Sequence, residues 1–236
     1  MKKTLLTALA ALSFCTAFAQ FPAPPVQTTF GIKAGVNRTT MSLTADASGL
    51  IINPGYSTNF SAGVFADVAV TERFSIQPGV YYSGKGFSYK HYEQQIDGTS
   101  TYTYDANLKS NIAYIQVPVN FLFNSTFNAG RLFIGGGPFA AVAIKASASG
   151  YIKERYEDGP FVIDLDGDVD PNVEIGTQDG VKRLDYGVTG LAGFRLNNGF
   201  LVSANYDYGI ANINGDKNSQ GKAKTRTITL SLGFSF

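Results

Sequence analysis

One run constrains this chain more than any other: residues 225–236, TRTITLSLGFSF. Successive side chains of a strand point to opposite faces. Here Ile228, Leu230, Leu232, Phe234 and Phe236 share one face, and Thr227, Thr229, Ser231, Gly233 and Ser235 share the other. A fully apolar face ending on a bare aromatic residue is a poor fit to a frayed terminus in water. It suits a strand that closes a barrel in lipid, where the apolar face meets acyl chains and the backbone pairs with the first strand.

The same alternation recurs upstream. It predicts strands over 28–41, 59–70, 74–86, 109–124, 131–147, 184–196 and 200–213, with 225–236 as the eighth. Rows such as Phe30, Ile32, Ala34, Val36 and Phe60, Ala62, Val64, Ala66 oppose rows rich in Gly, Ser and ionic residues. The second kind of row carries Lys33, Asp67, Lys145, Asp185, Arg195 and Asp207. Such charges are costly against acyl chains but can pair inside a narrow barrel. Connections alternate: 42–58, 87–108, 148–183 and 214–224 are long, whereas 71–73, 125–130 and 197–199 are short. The expected fold is therefore all-β: an eight-stranded antiparallel up-and-down transmembrane β-barrel over residues 28–236. Its short turns would face the periplasm and its long loops the outside.

Two of the long connections differ in character. Residues 87–108 read as a Tyr- and Thr-rich loop or as a strand pair running past the membrane. Residues 148–183 read as the longest and most acidic loop. An interior of eight strands is just wide enough to be filled by side chains, so a plugged lumen is expected rather than a diffusion pore. Tyr81, Tyr82, Phe123, Tyr206 and Tyr208 lie near strand ends and read as interfacial aromatic girdles.

Residues 1–19 read as a cleaved signal peptide. Lys2 and Lys3 precede an apolar segment, and Ala17-Phe18-Ala19 forms an A-x-A site, so the mature chain is expected to begin at Gln20. Residues 20–27 form a Pro-rich periplasmic lead. The one cysteine, Cys15, falls in the leader, which leaves the mature chain without thiols or disulfides. Removal of Lys2 and Lys3 leaves 17 basic residues against 18 acidic ones, a net charge of −1 that gives no reason to expect a nucleic-acid partner.

Six segments taken together resemble a known family: FGIKAGVN, FSIQPGVYYSGKG, YIQVPVNF, GGGPFA, NYDYGIANI and ITLSLGFSF. In order and spacing they are similar to the outer-membrane β-barrel domain of porin-family, PorT-like proteins, over residues 28–236. The resemblance implies an integral barrel of the Gram-negative outer membrane. It also implies that the carboxy-terminal strand, with Phe236 and Phe234, is the assembly signal read by the barrel-insertion machinery. Members mostly lack an assigned reaction, so no catalytic residue carries over; PorT itself takes part in a secretion system. The expectation is a monomeric, non-enzymatic barrel with a structural, surface-contact or limited-permeation role. Its partners would be outer-membrane lipid and lipopolysaccharide.

Two local features bear on chemistry. Asp164, Asp166, Asp168 and Asp170 alternate around Gly167, and carboxylates so spaced in a loop can collect Ca²⁺. The run departs from the EF-hand pattern, with its glycine at the fourth position and Ile175 where a bidentate Glu belongs. No other cofactor is expected. His91, the one histidine, has Ser88 and Glu93 nearby in sequence, the minimum for a nucleophile–base reading, although exposed loops place such neighbours by chance. A further alternative is a soluble secreted barrel binding a small apolar ligand, as lipocalins do. It requires the apolar rows to point inward.

Overall fold

The computed structural model describes residues 28–44, 51–52, 54–169, 173–176, 180–215 and 221–236. The expected leader and lead, and Asp170, lie outside these residues. The described residues form the strands β1 (Thr28–Thr44), β2 (Ile51–Ile52), β3 (Gly55–Ala69), β4 (Phe74–Asp97), β5 (Ser100–Phe127), β6 (Gly130–Asp158), β7 (Phe161–Asp168), β8 (Leu184–Leu196), β9 (Phe200–Gly209) and β10 (Lys222–Ser235). Eight of them close a ring in the order β1-β3-β4-β5-β6-β8-β9-β10, and β10 returns to β1. Every pairing between neighbouring strands is antiparallel. The short β2 adds to β1, and β7 adds to β6.

The seam runs without interruption from Gly31↔Ser235 to Thr44↔Lys222. Its far end is fastened by Phe236 N–H donating to Phe30 O at 2.8 Å and Phe30 N–H donating to Phe236 O at 3.2 Å. Three short turns share that rim with Thr28 and Phe236. One of them, Asn197–Gly199, needs glycine: Gly199 has φ +91°, and the Asn198 side chain accepts the N–H of Phe200 at 3.1 Å.

The alternation fixes the faces. Phe30, Ile32, Phe60, Val64, Leu230 and Leu232 are exposed on the outside, while Lys33, Asp67, Asp185 and Asp207 are buried inside. So large an exposed apolar belt has no place in water and is the lipid face of a barrel. The soluble ligand-binding alternative needed the opposite orientation.

Three expectations are corrected. The first concerns Lys145, which is exposed on the outer face and not in the lumen. Ala113 pairs with Lys145 but Tyr114 pairs with Ala143, so Ile144 is an extra residue in β6. One inserted residue reverses the phase of every side chain beyond it. Second, residues 148–168 are not loop. β6 runs on to Asp158, and β7 folds back along it across a tight turn in which Gly159 has φ +56°. Of the two readings for 87–108, the strand pair is the one found: β4 and β5 stay paired to Asp97↔Ser100. Together β4, β5, β6 and β7 carry a four-stranded sheet beyond the ring, roughly 30 Å long at about 3.3 Å per residue. Third, Tyr81 belongs to the lumen rather than to a girdle, since it lines an internal cavity beside Lys33.

Candidate functional site

The inward rows of all eight ring strands meet in a lumen filled in layers. At the turn-side rim, Arg195 on β8 donates from Nη1 to Asp67 Oδ2 (3.3 Å), Thr29 Oγ1 (3.2 Å) and Ser235 Oγ (3.2 Å). Arg131 on β6 comes within 4.0 Å of the same carboxylate. Asp67 of β3 thus meets cations from β6 and β8, and Arg195 extends the tie to β1 and β10. Leu122, Phe133 and Leu191 pack as a small apolar cluster in the same half of the barrel.

The middle of the lumen is a polar chamber of about 40 Å³, lined by Lys33, Tyr81, Gln116, Asn120, Thr189 and Asp207 among others. Lys33 Nζ lies 5.4 Å from the Tyr81 ring centroid and 5.6 Å from that of Phe65. Both are cation–π distances, which help to hold an ammonium away from bulk water. Gln116 Nε2 donates to Asp207 Oδ2 at 2.8 Å. Gln116 Oε1, Asn120 Oδ1, Thr189 Oγ1 and Asn205 Oδ1 find no partner among the described residues. A polar cavity of this size accommodates ordered water, which is how buried groups of this kind are ordinarily satisfied.

Above the chamber, Asn37 on β1 bridges the lumen. Its Nδ2 donates to Gly84 O (2.9 Å) and Ser83 Oγ (3.2 Å), and its Oδ1 accepts from Thr229 Oγ1 (2.9 Å). The next layer holds an ion pair with no exposure on either side chain, Lys85 Nζ to Asp185 Oδ2 at 3.1 Å. Thr225 Oγ1 donates to the same carboxylate oxygen at 2.9 Å, and the Phe139 ring centroid lies 4.4 Å from the ammonium. The pair spans the lumen from β4 to β8. An apolar plug built on Met41, Ile112, Tyr114, Phe139, Ala141, Ala143, Ala211 and Ile213 then closes the loop-side end, with Leu43, Phe87 and Val181 packed onto it.

Sequence reasoning identified Asp185 but not its partner. Lys85 was legible, because it stands in phase with Gln77, Tyr81 and Ser83 on the inward row of β4.

Among the acidic residues read as a cation site, Asp164, Asp166 and Asp168 lie on β7, all on its outward face. Along a strand, alternate residues are about 6.6 Å apart. Two of the three meet cations across the hairpin: Asp166 with Lys153 at 3.2 Å and Asp164 with Arg155 at 3.6 Å. No group of three or more metal-type ligands comes together among the described residues. A strand holds these carboxylates apart where a loop could have gathered them.

His91 faces Glu93, Nε2 to Oε2 at 3.4 Å. Gln95 Nε2 donates to Glu93 Oε1 at 2.9 Å. These hydrogen bonds, Gln95 first and then His91, hold the Glu93 carboxyl below its ordinary range. Ser88 is an even-numbered residue of β4 and so lies on the opposite face from His91 and Glu93. The strand does not assemble a Ser–His pair.

The barrel can be set beside known proteins. Ail, the attachment invasion locus protein of Yersinia pestis, is 11% identical, with 89% of this chain and 99% of that chain covered and a TM-score of 0.39. Neisserial surface protein A is 12% identical over the same shares, with a TM-score of 0.38. At these TM-scores the likeness says nothing of what this barrel does. No curated protein matches the chain. The family described as outer membrane protein beta-barrel domain matches residues 18–215, which take in all of the ring strands but β10. The closed antiparallel ring with its apolar exterior agrees with that description, and the chain belongs to the outer membrane protein beta-barrel domain family.

Proposed function

We propose that this protein is a closed outer-membrane barrel whose work is done outside the lumen, as a scaffold that holds a four-stranded sheet beyond the outer leaflet. The observation that carries this is the filled interior: two ionic layers and an apolar plug cross the lumen, and between the ionic layers lies a chamber of about 40 Å³. A leader cleaved before Gln20, a turn-side rim in the periplasm and recognition of Phe234 and Phe236 by the barrel-insertion machinery belong to the same proposal.

The projecting sheet is built for contact. Strand β7 pairs only with β6 among the described residues, so its outer edge is unpaired. Phe161, Ile163 and Leu165 form one row of that edge strand, and Asp164, Asp166 and Asp168 form the other. Phe161 and Leu165 are 65% and 61% exposed. An edge of this kind can accept an added strand from a partner. Two copies of β7 set antiparallel against each other would bring the acidic rows together, which disfavours self-pairing.

Planar-bilayer recordings of the refolded barrel test the closed lumen. The expected trace is flat; steady unit conductance would overturn the reading and make permeation the function. A cleavage site inserted at the Gly98 turn tests the display. Whole cells treated with protease should lose the sheet, and protection in intact cells would place that rim on the wrong side.

A further inference from the structure

The outward face of the barrel is apolar until the loop-side rim, where its chemistry changes abruptly at the seam. On β1 the row Phe30, Ile32, Ala34, Val36 ends at Arg38, and on β10 the row Leu232, Leu230, Ile228 ends at Arg226. Arg38 pairs with Ile228 and Thr40 with Arg226. The two arginines are therefore diagonal neighbours, about 7–8 Å apart at the backbone. A cleft of about 490 Å³ opens between them, lined also by Thr40, Tyr56, Tyr206 and Ile228.

Both guanidinium groups are positioned. Arg38 Nη1 donates to Thr58 Oγ1 at 3.0 Å, and the group lies 5.5 Å from the centroid of the Tyr56 ring. Arg226 Nη1 donates to the carbonyls of Gly209 (2.8 Å) and Thr225 (2.7 Å), and the group stacks 3.6 Å from the Tyr208 ring centroid. Among the described residues, no carboxylate comes within 4.0 Å of either. Lys224 and Lys222 follow in phase on β10 and add two more cations above the cleft.

We propose that this cleft binds a phosphate group of an outer-leaflet lipid headgroup. The planar fork of arginine matches phosphate geometry, and aromatic stacking limits its freedom before the ligand arrives. The apolar row directly below supplies a surface for the acyl chains of the same lipid. Charge costs little at this depth and a great deal one turn of the pleat lower. The site rests on the reading that the loop-side rim lies outside.

The test is native mass spectrometry of the refolded full chain in detergent. Three probes are used: lipid A carrying both phosphates, the same lipid dephosphorylated, and inorganic phosphate. One bisphosphorylated lipid should stay bound per barrel. Arg38→Gln with Arg226→Gln should weaken it about tenfold, the loss expected for one charge-assisted hydrogen bond. Arg73→Gln, at the opposite rim, should change nothing. Equal retention of the dephosphorylated lipid, or unchanged affinity in the double variant, overturns the site. Displacement of the lipid by inorganic phosphate assigns the cleft to the free ion and overturns the lipid as its source. A heat-dependent gel shift shows whether the double variant is folded. Should it not fold, Lys222→Gln with Lys224→Gln gives the readout, and undiminished binding there overturns the site. Flotation with vesicles is read separately: a chain that does not float refutes the membrane reading, whereas one that floats and ignores phosphate refutes only the cleft.

Discussion

Lys85 and Asp185 show how much a single pair can hold in place. Both side chains are fully buried, and their contact joins opposite walls of the ring. Removing one member leaves the other as an uncompensated buried charge, which typically costs about 3–5 kcal/mol. Lys85→Met should lower the unfolding free energy of the vesicle-inserted barrel, read from urea titration, by that order. The double variant Lys85→Met, Asp185→Asn should recover most of the loss, because it leaves a neutral amide beside Thr225. Gly199 makes a second demand. Its φ is +91°, and a Cβ there would stand 2.3 Å from the carbonyl oxygen of Ser235. Gly199→Ala should cost on the order of 1–3 kcal/mol by the same measurement. At this scale the sequence was read well wherever phase was unbroken: Asp67, Asp185, Arg195 and Asp207 all face inward as expected. Lys145 was misread because a bulge leaves no mark on composition, and nothing in the run Val142-Ala143-Ile144-Lys145 distinguishes the extra residue.

At the scale of the element, legibility followed wetness. Each strand with one face in lipid and one in the lumen was found from its alternation, usually within a few residues at each end. The stretch 148–168 reads as loop because both faces of that sheet are polar or mixed. A strand wet on two sides has no reason to alternate, and only its pairing partners reveal it. The carboxylates of β7 illustrate the same point, since i, i+2 spacing reads as a loop until the strand beneath it is seen. The seam supports a different prediction. Phe236 adds two backbone hydrogen bonds, both with Phe30, at the edge of the ring. Deleting Phe236 should shift unfolding of already inserted protein by only about 1–2 kcal/mol. If the residue is also read during assembly, the amount of inserted protein should fall far more than that shift explains. Quantitative blots of outer-membrane fractions would show it, and normal levels would sink the assembly role.

For the molecule as a whole, the ring has one pairing unlike the rest. The other ring pairs join strands that are neighbours along the chain or, for β1–β3 and β6–β8, nearly so. The β1–β10 pair joins residues roughly 200 apart in sequence. Until it forms, the sheet has two open edges and an unclosed belt of apolar side chains. Contacts so distant in sequence are slow to find, because chain entropy is lost long before the contact repays it. Closure of the seam should therefore set the rate of refolding into vesicles. A circular permutant that links Phe236 to Thr28 and opens the chain at the Gly98 turn makes the seam a local hairpin. Its new break falls in the projecting sheet, so most pairings of the ring itself remain continuous in sequence. Such a permutant should insert faster while unfolding at the same denaturant concentration, and an unchanged refolding rate would show that another step is limiting. The architecture thus carries a clock: a protein with most of its pairings made still lacks a boundary, and it must be sheltered from its own kind for as long as the final search takes.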